Sequence, residues 1–566
     1  MGRNPGTKHE LLWPEDPLQL ALWSERWQSL DISEATLLGG DWQKPLITRR
    51  RQVMAMNSKW RVLPEIAVLL GLALPLQAQS VYSTRLDDPE AIELGSARFP
   101  VHADGASEDG TASDALSALS FQNHQIAARK MLYPQREWSE WQDYPVRTVE
   151  DITFEPKAVP VDQYGGRLDR RSVKTGFFYT RKIASRWWLI DPDGHPFLNA
   201  AIVSVIPAPS PNSATALAKN FGTQEAWLKY TRDQLLSNGF NGVGAWSDVH
   251  LLRASSAQST RPLAYTINLD IMGAYGAKRG GTYAVPGHKG YPENTIFAFD
   301  PAFKTFADRY VAAAVSAYRT DSNLIGYFSD NEIPLTRANL DGFLRLPDGD
   351  PGHKAAERWL RQHHATEPTD ALRAEFLEFE ANHYFRIVSS AISKSDPNHL
   401  FLGSRFYGQQ PNDPEVFRAV GRYAGAISFN IYGIWQLDAA TTEMWERESG
   451  KPFMVTEFYA KGEDSGMPNH TGAGWLVHTQ DDRGMFYENF VLALIQSRNC
   501  VGWHWFKYQD NDPDDPHAEA SNKDSNKGIV DRYYKPYSPL LNRMRDLNLK
   551  MYQIADAFDA VRSSLR

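Results

Sequence analysis

Glu332 and Glu457 each stand at the end of a short apolar, strand-like run, 324–332 and 453–458. A carboxyl group at the C-terminal end of a barrel strand faces the mouth where active sites assemble. Two such groups on opposite strands can work as acid and nucleophile on a glycosidic bond, one protonating the leaving oxygen and the other attacking the anomeric carbon. Glu332 follows Asn331, whose amide can hold a substrate hydroxyl. To arrive protonated, Glu332 needs a pKa raised by desolvation or by the second carboxylate, whereas Glu457 has to stay ionised. In a retaining enzyme the two carboxyls lie about 5 to 5.5 Å apart, too close for a nucleophilic water between them, which leaves direct attack and a glycosyl-enzyme intermediate.

The two glutamates need a scaffold, and the chain supplies a regular one. A strand, an Asp-Gly turn and a second strand are expected across 187–197, and eight apolar, β-branched or aromatic runs follow, near 197–205, 240–247, 263–271, 324–332, 399–407, 425–433, 453–458 and 500–508. Most are separated by segments of 3.6-residue periodicity, the clearest at 224–237, 304–318, 373–393, 482–498 and 539–558, which is the signature of parallel βα units. The expected fold is α/β, a (β/α)8 TIM barrel with long loops on the catalytic face and a short N-terminal extension, and the competing architecture is a doubly wound open sheet. This register puts Glu332 on strand four and Glu457 on strand seven. Insertions at 272–303, 333–372, 459–480 and 509–537 follow strands three, four, seven and eight, on the face where they can wall a groove.

With 566 residues and 42% hydrophobic composition a large core is possible, and aromatics at 12% suit a site where flat rings stack on sugar faces. The formal charge of -8, with no long basic run, argues against a nucleic-acid partner. Cys500 is the single cysteine, so no intrachain disulfide can form. Residues 56–78 have the pattern of a secretory signal: Lys59 and Arg61 precede an 11-residue apolar run at 66–76, short of the roughly 20 residues that span a bilayer. The expected organisation is an over-called or disordered upstream segment at 1–55, a signal peptide at 56–78, an irregular lead-in and linker at 79–184, and the barrel at 185–566. The product is then secreted or periplasmic, with no membrane anchor after signal cleavage.

The segments 188–197, 325–332, 455–458, 482–486 and 501–506 together resemble glycoside hydrolase clan A, and within it the β-agarase-like group, over residues 185 to 560. The resemblance implies a retaining mechanism with Glu332 as acid/base and Glu457 as nucleophile. It also implies that Tyr432 hydrogen-bonds the nucleophile. Arg405 either orients that carboxylate, binds a substrate hydroxyl or forms a structural ion pair. His504 and Trp505 alternate on strand eight and cannot both face inward, and Trp505 is taken as the stacking platform. Asn430, Trp246 and Asp248 are further sugar-contact candidates. The acidic run 510–515 lacks the Gly and Glu of an EF-hand and is read as a solvated loop lining the groove, so no metal or other cofactor is implied. The expected function is hydrolysis of a β-linked galactan. The alternatives are a glycosidase on another β-glycan (mannan, glucan or exopolysaccharide) and a non-catalytic carbohydrate-binding barrel.

Overall fold

The computed structural model describes residues 124–132, 137–256, 261–408 and 410–564. The expected upstream segment 1–55, the expected signal peptide 56–78 and the first part of the expected lead-in, up to residue 123, lie outside the described residues.

Eight parallel strands carry the site: β1 Asn199–Ile202, β2 Gly242–Val243, β3 Ala264–Asn268, β4 Leu324–Phe328, β5 Leu400–Phe401, β6 Ile427–Asn430, β7 Phe453–Phe458 and β8 Cys500–Trp505. Each falls within one of the apolar runs. The hydrogen-bonded order is β5-β4-β3-β2-β1-β8-β7-β6. A doubly wound sheet would reverse direction at a switch point; here the order runs round in sequence, and β1 pairs with β8 in parallel. The result is an α/β protein with one curled eight-stranded sheet of TIM-like order. Its edge strands meet at an isolated bridge, Phe406 with Phe429, where Phe406 N–H donates to the Ser428 carbonyl and Asn430 N–H to the Phe406 carbonyl, both at 2.8 Å, and Gly425 N–H donates to the Phe401 carbonyl at 2.9 Å.

Strands such as β4 are buried along their whole length because helices cover one face and the interior fills the other, which is why they read as unbroken apolar runs. The covering helices include α1 Gln224–Ser237, α2 Phe303–Ala314, α3 Asp370–Ser395, α4 Gln480–Ser497 and α5 Ser538–Ser564. Thr223, Thr369 and Thr479 cap α1, α3 and α4 by accepting from first-turn amides, and Asp482 completes a capping box on α4.

Ahead of β1, the strands Tyr179–Ile183, Arg186–Ile190 and Pro196–Phe197 form a small antiparallel sheet. The expected Asp-Gly turn lies in it, with Gly194 at φ 94° and Asp191 accepting from the amides of Asp193 and His195. Leu189 and Phe197 pack from this sheet into one core with Ile325, Leu402, Met454 and Val501. The stretch read as an irregular lead-in also contains regular structure. His124–Leu132 and Gln142–Val146 pair with each other, and His124–Leu132 pairs with Trp475–Val477 of the strand-seven insertion. The strand-three insertion folds a hairpin, Tyr283–Val285 with His288–Gly290. No helix among the described residues is long and apolar enough to cross a membrane.

Candidate active site

The chain leaves each of the first five strands through a strained residue. Ser204, Trp246, Asp270, Glu332 and Arg405, all non-glycine, have φ between 52° and 63°, and each lies two to four residues beyond the end of β1, β2, β3, β4 or β5. A left-handed backbone at such residues persists only where the surroundings impose it, and it turns side chains that would otherwise continue the strand's alternation. Three of these five, Trp246, Glu332 and Arg405, come together with Glu457 of β7.

Glu457 is buried and receives donors from three strand ends. Arg405 Nη2 donates to Oε1, the Tyr432 hydroxyl donates to Oε2, and Trp246 Nε1 reaches Oε1 at 3.4 Å. Arg405 is itself fully buried and donates onward, through Nη1 to Asn331 Oδ1 at 2.8 Å and through Nη2 to the Thr456 carbonyl at 3.2 Å. The guanidinium therefore sets a fixed positive charge against Glu457 and ties it to the end of β4. Burial, and then the charges of Glu457 and Glu332, raise the Tyr432 phenol well above its ordinary pKa, so it stays a hydrogen-bond donor.

Glu332 is also buried, but its partner is neutral. Asn430 Nδ2 donates to Glu332 Oε1 at 2.7 Å and to Asn331 Oδ1 at 3.2 Å. The orientation of this amide is fixed by Thr456 Oγ1, which donates to Asn430 Oδ1 at 3.0 Å. Burial, and then the charge of Glu457, push the Glu332 carboxyl up to about 8. One carboxyl is thus held by a cation and two N–H or O–H donors, and the other is desolvated beside an amide. A nucleophile and a general acid need these two opposed environments.

The structure brings Glu332, Glu457, Asn331, Asn430, Arg405, Tyr432 and Trp246 into one network. It leaves Trp505 out. The Trp505 ring is fully buried, its Nε1 donates to the Lys527 carbonyl at 2.9 Å, and it packs on Phe458 and on Tyr487 of α4. The alternation on β8 resolves the other way from expectation, with His504 bonding Asn199 Oδ1 of β1 at 2.7 Å. The aromatic face open to a ligand is Trp246, which is 45% exposed. Asp248 caps the helix Val249–Ser256, accepting from Leu251 N–H at 2.9 Å.

The acidic loop is exposed at Asp514, but Asp510, Asp512 and Asp515 are buried. Asp510 is buried and accepts from the amides of Lys527 and Gly528, from Asn526 and from the Tyr537 hydroxyl, and Asp512 is taken by Ser210 and Arg532. Ligand atoms of Asp162, Asp191 and His195 lie within 4.8 Å of one another, but Asp191 and His195 belong to the turn that precedes β1, and Asp162 comes from the 161–167 loop to meet the His195 ring at 2.9 Å. Sequence reasoning missed Thr456, which adjoins Glu457 and was legible from that adjacency.

The fold and site define an α/β protein with a curled parallel sheet and a buried carboxyl pair beyond its fourth and seventh strands. No protein-family profile matches the chain. Among curated proteins it is similar to Beta-agarase B of Vibrio sp. (strain JT0107), 22% identical over 500 residues, which cover 69% of this chain and 50% of that protein. The chain thus spans about half the length of that relative. Among solved structures, the crystal structure of BpGH50 superposes with a TM-score of 0.69 at 26% identity, covering 81% of this chain and all of the other. The agarase AgWH50C shares the fold, with a TM-score of 0.57 at 22% identity over 82% of this chain and 72% of the other.

Proposed function

We propose that the chain is a secreted, retaining β-glycosidase of the clan A type that hydrolyses a β-linked galactan such as agar, on a (β/α)8 barrel closed between β5 and β6. Glu332 protonates the leaving oxygen while Glu457 attacks the anomeric carbon; water, deprotonated by Glu332, then releases the sugar. Arg405 and Tyr432 orient Glu457, Asn430 positions Glu332, and Trp246 stacks on a sugar ring at the mouth.

The observation that carries this reading is the unequal treatment of the two carboxyls. Glu457 receives the buried Arg405 guanidinium, and Glu332 is desolvated and raised to about 8. A binding protein gains nothing from holding one buried carboxyl protonated beside another that is paired with a cation. The similarity to Beta-agarase B supports the galactan over other β-glycans.

The test is product release from agarose, its oligosaccharides and a panel of other β-glycans, with Glu457→Gln as control and NMR of the anomeric configuration of the first product. Release from agarose with retained configuration, lost in the variant, supports the whole reading. Release from another glycan alone keeps the mechanism and discards the galactan, and an inverted product discards the covalent intermediate. Secretion is checked by N-terminal sequencing of the exported protein; an intact start at Met1 would refute signal cleavage.

A further inference from the structure

Lys527 belongs to the strand-eight insertion, and its backbone is fixed in the wall behind Glu457. Its N–H donates to Asp510 Oδ1 at 2.8 Å, and its carbonyl accepts from Trp505 Nε1 and from the Lys507 amide. The side chain is nearly buried, at 4% exposure, with Nζ 4.3 Å from the Tyr459 ring centre and 4.9 Å from that of Phe506. Tyr459 stands edge-on to Tyr432, ring centres 5.2 Å apart, and Tyr432 holds Glu457. Lys527 therefore sits two rings, Tyr459 and Tyr432, from the Glu457 carboxyl, and burial pulls its ammonium well below the ordinary lysine range while the charge of Glu457 draws it back up.

Its neighbours are otherwise engaged. The Lys461 ammonium donates to the carbonyls of Thr471 and Gly472, and Lys507 donates to Asn511. Glu519, the other carboxylate whose charge reaches Lys527, accepts from Gly287, Ser521 and Asn522. Among the described residues, Lys527 Nζ has two ring faces and no carboxylate or carbonyl bonded to it. Ring faces offset only part of the cost of burying an ammonium, and two further buried lysines nearby add to that cost. An oxyanion delivered by the ligand meets this need directly.

We propose that Lys527, between Tyr459 and Phe506, reads an anionic substituent, a sulfate ester or a carboxylate, on the sugar bound beside Glu332 and Glu457. This rests on the glycosidase reading above and narrows its substrate to a charged galactan.

The experiment compares kcat/KM of the full chain on three matched sets of galactan oligosaccharides: neutral, sulfate-bearing and carboxylate-bearing. The wild type is expected to favour one charged set by about tenfold, the scale of one good charge contact, and Lys527→Gln to bring that ratio close to one, with Lys527→Arg restoring part of it. The preferred set identifies the anion. Inorganic sulfate is expected to inhibit turnover of neutral oligosaccharides by the wild type competitively, and to do so more weakly in Lys527→Gln. A wild-type preference for the neutral set, or a charged-to-neutral ratio that Lys527→Gln leaves unchanged, overturns the proposal while the glycosidase reading stands. Turnover of none of the three sets by the wild type removes the galactan reading and the proposal with it. The wild-type ratio and sulfate inhibition decide the matter even if Lys527→Gln fails to fold.

Discussion

The Asn430 amide donates to Glu332 Oε1 at 2.7 Å, bridging 98 residues of sequence and joining the end of β6 to the end of β4. Because Thr456 claims the amide oxygen, the amide can present only its N–H side to Glu332. The contact stays neutral and fixes the carboxyl's position without adding a positive charge that would pull its proton away. Replacing Asn430 with Asp swaps this donor for an acceptor next to a carboxyl. The expected result is a fall in kcat of about 10²- to 10⁴-fold, the range that general acid catalysis spans, with a smaller change in KM.

The alkaline limb of the pH profile reports Glu332. Its carboxyl is raised to about 8, and an acid catalyst is active while protonated, so kcat/KM should fall as pH rises through about 8. In Glu457→Gln the neighbouring negative charge is gone, and the Glu332 proton should leave at lower pH, measurable in the infrared carboxyl band. An unmoved band would mean that burial alone raises it.

Stability carries the same signature. A folded-state pKa above the unfolded value of about 4.3 means that the native state holds an extra proton between the two values, so this group's contribution is complete below pH 4 and is lost as pH rises through about 8. Glu332→Gln should remove that loss, on the order of a few kcal/mol, and flatten the decline of Tm between about pH 4 and 8. An unchanged Tm slope in the variant would count against a protonated Glu332.

Arg405 is the buried cation bonded to Glu457, and its bonds to Glu457, Asn331 and Thr456 need a planar fork. Arg405→Lys should retain the charge and lose the geometry, lowering kcat by about 10²- to 10³-fold. Arg405→Met leaves Glu457 unpaired and should cost about 3–5 kcal/mol in denaturant unfolding. Because Arg405 also lowers the Glu332 pKa, the alkaline limb of any residual activity should move to higher pH.

The two tryptophans should separate cleanly. Trp246→Ala removes an exposed ring beside Glu457 and should raise KM about 3- to 10-fold with little change in Tm. Trp505→Ala opens a cavity between β8 and α4 and should cost about 3–5 kcal/mol of stability, with KM close to wild type in the folded fraction. The reverse pattern would restore Trp505 as the platform.

Much of this protein was legible along the chain, because parallel strands buried on both faces leave unbroken apolar runs and capped helices leave their periodicity between them. Those local signals put Glu332 at the end of the fourth strand and Glu457 in the seventh, and a carboxyl's strand position is enough to name the chemistry it can do. The residues around the pair were harder to assign. Which of His504 and Trp505 points inward depends on a one-residue phase, set only when β8 pairs with β1 and β7. That Arg405 grips Glu457, that Asn430 turns its N–H to Glu332, and that Lys527 stands behind Tyr459 are contacts between residues 52 to 98 positions apart. Short-range sequence patterns carry no record of such distances, and only the curling of the sheet brings these strand ends together, buries them and sets their charges.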